Sequence, residues 1–444
     1  MPAATDDRER PHPFRWGLVV LLIGGLLAAP APASAGSGVK TERASVSSAG
    51  REGKHDSLDA SISATGRFVA FESRAPNLVK GDDNGAYDVF VRDRGTDTTT
   101  RVSVRSNGRQ ANGSSFEPSI SANGRFVAFQ SDAPNLVRGD TNDADDVFVH
   151  DRVTGRTTRV SVNSRGRQAD GESSNPAISD DGRIVAFESA APDLVRSDGN
   201  GVKDVFVHDR VTGKTTRVSV SSTGAEGDAD SHRPSPSADG RFIAFSSDAS
   251  NLVGGDGDSY EDVFVHDRAT GRTKVVSISS AGVKADLGAS DASISDDGRF
   301  VAFSSGATNL VKGDDGMLSD VFVHDRMKGR TTRVSVRSSG AQADGASTGP
   351  SISGSGRFIA FYSGAKNLVA GDLNGERDVF VHDRVTGATE RVSVSTSGRE
   401  GNSFSDNPSI SSDARFVAFQ SRARNLVPGD GNDSTDVLVR GPLR

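Results

Sequence analysis

"GRFVAFQSDAPNLVRGDTNDADDVFVHDRVTGRTTRVSV", residues 124–162, decides the fold. It holds three runs rich in β-branched and aromatic residues, "RFVAFQS" at 125–131, "DVFVHD" at 146–151 and "TTRVSV" at 157–162. Such residues fit a pleated strand. "RVTG" joins the last two, and "ANG" at 122–124 leads in from a shorter run, "PSIS" at 118–121. Glycine-bearing turns of this kind supply the positive φ angles of a tight hairpin. No part of the stretch repeats its apolar residues at helical spacing. The expectation is a unit of four antiparallel strands.

The unit recurs. Its arginine stands at Arg67, Arg125, Arg183, Arg241, Arg299, Arg357 and Arg415, always 58 residues apart, so seven copies span 406 residues. A fixed period of this size marks a solenoid, an array or a propeller. Four strands seven times predict an all-β chain, a single seven-bladed β-propeller over 36–444. The ends favour closure. "TERASVSS" at 41–48 matches a fourth strand, and the last copy stops at a third strand, "DVLVR" at 436–440. An N-terminal strand that completes the last blade would pair edges otherwise left open. Of the 22 phenylalanines, 19 lie in the "RFVAF" or "DVFV" positions, which fits aromatic filling between blades.

The unit "PSISxDGRFVAFxS…DVFVHDRxTGxTxRVSV" resembles the repeat of the TolB-like (WD-repeat-like) β-propellers. The resemblance covers 36–444. It implies the propeller fold, and a role either as a protein-interaction module or as an accessory domain of a peptidase.

Net charge is −7, which excludes the basic field that a nucleic-acid binder needs. There is no cysteine, so neither disulfides nor thiol chemistry contribute. At the N-terminus, "WGLVVLLIGGLLAA" (16–29) is followed by Ala33, Ser34 and Ala35. The run is shorter than the roughly 20 residues of a membrane-spanning helix. It reads as a secretory signal over 1–35, and the mature protein is expected to be secreted, periplasmic or held at the cell envelope, without a membrane span.

One acidic pattern recurs in the connection between the second and third strands: D-x-[N/D]-x-x-x-D. Its copies are Asp82, Asn84 and Asp88; Asp140, Asn142 and Asp146; Asp198, Asn200 and Asp204; Asp256, Asp258 and Asp262; Asp372, Asn374 and Asp378; Asp430, Asn432 and Asp436. In the fifth blade, Gly316 breaks it. Hard cations such as Ca²⁺ bind several oxygen ligands, and these side chains could be ligands. An EF-hand is excluded. Its twelfth position would be Asp93, some 16 Å along a strand at about 3.3 Å per residue. Asp and Asn also stabilise turns by bonding their own backbone, so a turn without any ion is the competing expectation.

Five histidines, His150, His208, His266, His324 and His382, occupy one strand end in five different blades. They cannot converge on one metal, and a structural role is expected, with the neighbouring Asp as partner. "GASTG" (345–349) matches the G-x-S-x-G nucleophile elbow but lacks its strand-to-helix setting.

Long connections should open on one face of the propeller, where function tends to sit. There the residue two before "SIS" changes from blade to blade: Asp59, Glu117, Asn175, Arg233, Asp291, Gly349 and Asn407, with His232 beside Arg233. These are expected to ring the mouth of the central channel and to meet a protein or glycan ligand. The function expected is a non-enzymatic, monomeric binding scaffold, with Ca²⁺ as a possible stabiliser. The alternative is a polysaccharide lyase or hydrolase with its site at the channel mouth.

Overall fold

The computed structural model describes residues 38–257, 259–314 and 316–443. The signal over 1–35 and Asp258 lie outside them. From Val39 onward the chain forms one unit. It is built from seven four-stranded antiparallel sheets, and the described residues contain no helix. None of them forms a helix long and apolar enough to cross a membrane.

Blade 1 shows the plan. Its strands run outward from the axis as β2 (Ser57–Ile62), β3 (Phe68–Ser73), β4 (Asp88–Asp93) and β5 (Thr98–Arg101). Two boundaries differ from the sequence reading. The innermost strand begins earlier, because a bulge between Leu58 and Ser61 lets the chain pair again upstream of "SIS". The outermost strand ends at Arg101. After it Val102 turns away, and Val104 forms a lone bridge to Gln110. Between β3 and β4 the connection is long, and between β4 and β5 it is a short turn, so the two ends of the propeller differ.

Seven apolar clusters make the core, one between each pair of adjacent blades. In "DVFV" successive side chains point to opposite faces of the sheet. Val89 and Val91 of blade 1, with Ala70 and Val102, therefore pack against Phe129, Phe148 and Val127 of blade 2. Within a blade the two phenylalanines are cross-strand partners, as Phe129 and Phe148, whose ring centres lie 5.9 Å apart. Six blades have this stacked pair; in blade 7 Leu438 replaces the second ring, against Phe419.

The ring is closed by β1 (Lys40–Arg43), which pairs with Asp436–Gly441 of blade 7, Thr41 opposite Arg440. Nearer the axis the blades are laced directly. The Ile120 amide donates to Ser61 Oγ of the preceding blade (3.1 Å), and the pattern recurs to Ile62 and Ser409 (3.2 Å). At the short-turn end, backbone amides and carbonyls form a hoop from Ala64 through Ala122, Asp180, Ala238, Asp296 and Gly354 to Ser412, closed by the Asp413 amide on Ala64 O.

The short-turn end also carries a ring of arginines. Arg94, Arg152, Arg210, Arg268, Arg326 and Arg384 each donate to the carbonyl of a turn glycine, as Arg152 to Gly124 O at 2.6 Å. Five of these guanidiniums lie 4.3–4.6 Å from the centre of a phenylalanine ring of the preceding blade. The same rings press on the turn glycines. A Cβ on Gly124 would lie 2.0 Å from Phe68, so the glycine is required for contact as well as for its φ of +71°.

Candidate functional site

The first and last acids of the pattern are brought together in every blade, but around a cation of the chain itself. Arg101 at the end of β5 places Nη1 3.2 Å from both Asp82 and Asp88. Gln110 from the next connection donates to both acids, at 2.9 and 3.0 Å. Asn84 turns its nitrogen and not its oxygen toward the acids, Nδ2 donating to Asp88 Oδ2 at 3.3 Å. Its Oδ1 accepts the Ala86 amide and its Nδ2 donates to Ala111 O (3.1 Å), so it fastens the turn. Arg159, Arg217, Arg333, Arg391 and Arg43 repeat the role of Arg101. Blade 4 is the exception. Val275 stands where the arginine should be, and Lys284, at the position of Gln110, puts Nζ on Asp256 and 2.9 Å from Asp262. Two changes in one blade thus keep one positive charge between two buried acids. The sequence reading missed these cations, although the 58-residue register displays them.

In two of these latches a glutamate joins the acids. Asp372, Asp378 and Glu400, and likewise Glu52, Asp430 and Asp436, bring three carboxylates within reach of a single ion. Asp372 Oδ1 and Asp430 Oδ1 are buried and accept no hydrogen bond. These two donor sets fit a hard cation better than the others. In blades 1, 2 and 5 the equivalent residue is a glutamine. Glu400, Glu52 and, in blade 3, Glu226 all also pair with the latch arginine, Glu52 with Arg43 at 2.9 Å and Glu226 with Arg217 at 2.6 Å, but Glu226 does not converge with its two acids.

The strand-end histidines are structural, but their partner differs from the expected Asp. His150 Nδ1 meets Thr157 Oγ1 of the fourth strand at 2.9 Å, and four further blades repeat this. Burial pushes His150 down to about 4, so it is neutral. The neighbouring Asp151 instead accepts two bonds from Arg125, at 2.9 and 2.8 Å. Ser347 of "GASTG" lies in a strand, buried, with its hydroxyl on Ser363 Oγ (2.8 Å), so it is no exposed nucleophile.

The varying residues line a cavity of about 700 Å³ on the axis, to which all seven blades contribute. Asp59, Glu117, Asn175, Arg233, Asp291, Gly349 and Asn407 all face it, from the strand bulges rather than from loops. Their positive φ, +46° at Asp59 and +50° at Glu117, is the bulge conformation. His232 is not among the lining residues. Its neighbour Arg233 takes the axial position, and the His232 ring bonds Glu261 (2.8 Å), which raises its pKa.

A second varying position, in the second strand, was not singled out from the sequence: Glu72, Gln130, Glu188, Ser246, Ser304, Tyr362 and Gln420. In four blades its long polar side chain accepts the bulge amide of the next blade. Glu72 Oε2 takes the Glu117 amide at 2.8 Å, and Gln420 takes that of Asp59 at 3.1 Å. Ser246 and Ser304 are too short to reach, and Tyr362 contributes a ring to the cavity instead.

The cavity is therefore electrostatically lopsided. Burial, reinforced by the charge of Asp59, pushes Glu72 up to about 8 and Glu117 up to about 7. Burial also raises Asp59. Glu188 differs: burial works upward, but bonds from Asn175, the Arg233 amide and Lys203 hold it below the usual range. On the far side Arg233 is paired with Asp291. Blades 1 and 2 thus present a cluster of carboxyl groups that a positive charge would relieve.

No family model and no curated protein matches the chain. Solved structures do resemble it in fold. An oligogalacturonate lyase in complex with manganese is 11% identical with a TM-score of 0.53, covering 87% of this chain and 90% of that one. The β-propeller domain of the Trilobed protease from Pyrococcus furiosus is 12% identical with a TM-score of 0.50, covering 82% and 91%. TolB from Acinetobacter baumannii is 14% identical with a TM-score of 0.41, covering 76% of this chain; the chain spans 62% of that protein's length. The chain shares the β-propeller fold with the lyase and with the propeller domain of the protease.

Proposed function

We propose that this seven-bladed propeller is an exported, non-enzymatic binding module whose ligand enters the axial cavity and places a cationic group against Asp59, Glu72 and Glu117. The apolar run at 16–29 and the small residues at 33–35 support export. One observation carries the binding reading: the cavity is lined at a position that varies from blade to blade, backed by a second varying position of which Tyr362 reaches the lining and Glu72 is buried against Glu117, within a framework that otherwise repeats. A glutamine holds the bulge amide in blades 2 and 7, so the acid of Glu72 beside Glu117 is more than the framework needs. A basic side chain of a polypeptide, or an amino sugar of a glycan, would hold their carboxylates ionised.

Titration calorimetry with short lysine- or arginine-bearing peptides and with amino-sugar oligomers tests this. Binding should release protons from the glutamic acids near pH 7, and Glu72→Gln with Asp59→Asn should weaken it at least about tenfold, the loss of one charge-assisted contact. Binding of neutral analogues with equal affinity would refute it. Calcium belongs, on this reading, to the two latches with three carboxylates, where it would act as a staple for blades 6 and 7 and not as a reactant.

A further inference from the structure

The junction between blades 6 and 7 departs from the common plan in three ways at once, two of them at the short-turn end and one in the core. The turn glycine is replaced by Ala414, which still holds a φ of +59°. The arginine that lies over the preceding blade's ring elsewhere is replaced by Pro442, and Leu443 takes over the backbone bond to Arg415 O (2.7 Å). The second phenylalanine of blade 7 is Leu438. At five other junctions the ring packs on a bare glycine and is covered by a guanidinium; between blades 3 and 4 Ile184 takes the place of the ring. Here Phe358 meets a methyl group instead and has only its neighbour Arg357 close, at 4.8 Å.

The result is a cavity of about 230 Å³ against Phe358, walled by Val381 and Val392. Val381 is 8% exposed, whereas Val91, Val149, Val207 and Val323 at the same position are fully covered. The acids Asp383, Asp413 and Glu390 also line it. Glu390 has one counterpart, Glu42 of the closing strand, which pairs with Arg94 where that arginine lies over Phe416. Four blades have threonine there (Thr100, Thr158, Thr216, Thr332) and blade 4 has Lys274.

We infer that this slot is a docking site for an arginine side chain of a protein partner, which stacks its guanidinium on Phe358 as the chain's own arginines do at the other junctions. The molecule supplies the template for its ligand. Five times the same ring position binds a guanidinium within 4.6 Å of its centre and offers it a turn carbonyl. At this junction the ring, the carbonyl of residue 414 and an added acid are kept while the arginine is not. The site lies at the opposite end of the propeller from the axial cavity, and it stands whether or not that cavity binds a cation.

The test is methyl NMR of the purified protein, labelled at Val and Leu, titrated with N-acetylarginine amide. Saturable shifts are expected at Val381, Val392 and Leu443, and they should persist in Glu72→Gln, which separates this site from the axial cavity. N-acetylcitrulline amide, similar in shape but uncharged, should bind about tenfold more weakly for want of the cation–π attraction. Pro442→Arg should abolish the response by filling the slot from within, and Glu390→Thr, which leaves the tail intact, should weaken it about threefold. The inference is overturned by an unsaturable response to the arginine derivative, by equal binding of the citrulline derivative, or by full binding in both variants. Binding that appears only after Arg444→Ala would also overturn it, because the chain's own last residue would then be the occupant.

Discussion

Removing the positive charge from the blade 4 latch is the sharpest test of how the acidic loops work. Lys284 is 18% exposed at its side chain, and Asp256 and Asp262 are each 2% exposed, so the three charges meet almost out of water. Lys284→Gln gives blade 4 the glutamine of blades 1, 2 and 5 but not their arginine, and leaves two buried carboxylates with no cation. Breaking a buried pair from one side costs about 3–5 kcal/mol. Unfolding entropy of about 2.1 cal/mol/K per residue, over roughly 400 residues, makes about 0.85 kcal/mol equal to one degree. The variant should therefore melt about 4–6 °C lower. Val275→Arg in the same chain restores the set found in blade 1 and should recover all but about 1 °C of the loss, since the remaining cost is that of one surface-like substitution. Circular dichroism melts of the four chains of the cycle measure this. A drop below about 1 °C in Lys284→Gln, or no recovery in the double variant, refutes the reasoning, because either result means that the acids do not need an internal cation.

Other outcomes follow from the same geometry. Glu72 is raised from its ordinary value to about 8, so the folded state holds a proton that the unfolded chain has lost. Stability should fall as pH rises from about 4.5 to 8, by on the order of 3 kcal/mol, and Glu72→Gln should flatten that decline in pH-dependent melts. Gly182→Ala would set a methyl 2.1 Å from Phe126 at a φ of +74° and should cost at least about 2 kcal/mol, whereas Gly213→Ala, with open space around it, should cost about 1. A chain that begins at Ala44 lacks β1 and exposes the edge of Asp436–Gly441; light scattering should show it associating where the intact protein does not. Calcium at about 10 mM should raise the melting point by about 3 °C for two sites with dissociation constants near 1 mM, and Glu400→Gln with Glu52→Gln should remove the rise.

The fold was legible because it is written seven times. Each strand type, the Gly-bearing turns and the matching ends could be checked against six other copies, and period-2 alternation in "DVFV" already separates the Val face from the Phe face. The bulge was not legible, because Asp59 and its equivalents are followed by ordinary strand residues and only the pairing with Glu72 and Ala70 reveals the extra residue. The latches were half legible. Asp82 and Asp88 lie in one loop and were noticed together, but Arg101 and Gln110 reach them from 13 and 22 residues beyond Asp88, a closeness that only the outermost strand and the next connection create. Glu72 was overlooked for a related reason. In sequence it is one polar residue in an apolar run, and it becomes notable only when curvature brings Asp59 and Glu117 beside it.

The placement of β1 has a consequence for the order of events in folding. Each of blades 1 to 6 can collect its own four strands as soon as they are made, with contacts no more than about 60 residues apart, but blade 7 must wait until residues 40–43 and 436–441 are both free. The contact that finishes the ring is thus the one with the largest loop to close, and such contacts are slow. Meanwhile "TERASVSS" resembles every other fourth strand, so an unfinished chain offers it several wrong partners. Adjacent repeats this alike are prone to misassembly. The timekeeper of this molecule is its first strand: idle while six blades assemble, it is spent correctly only on the last.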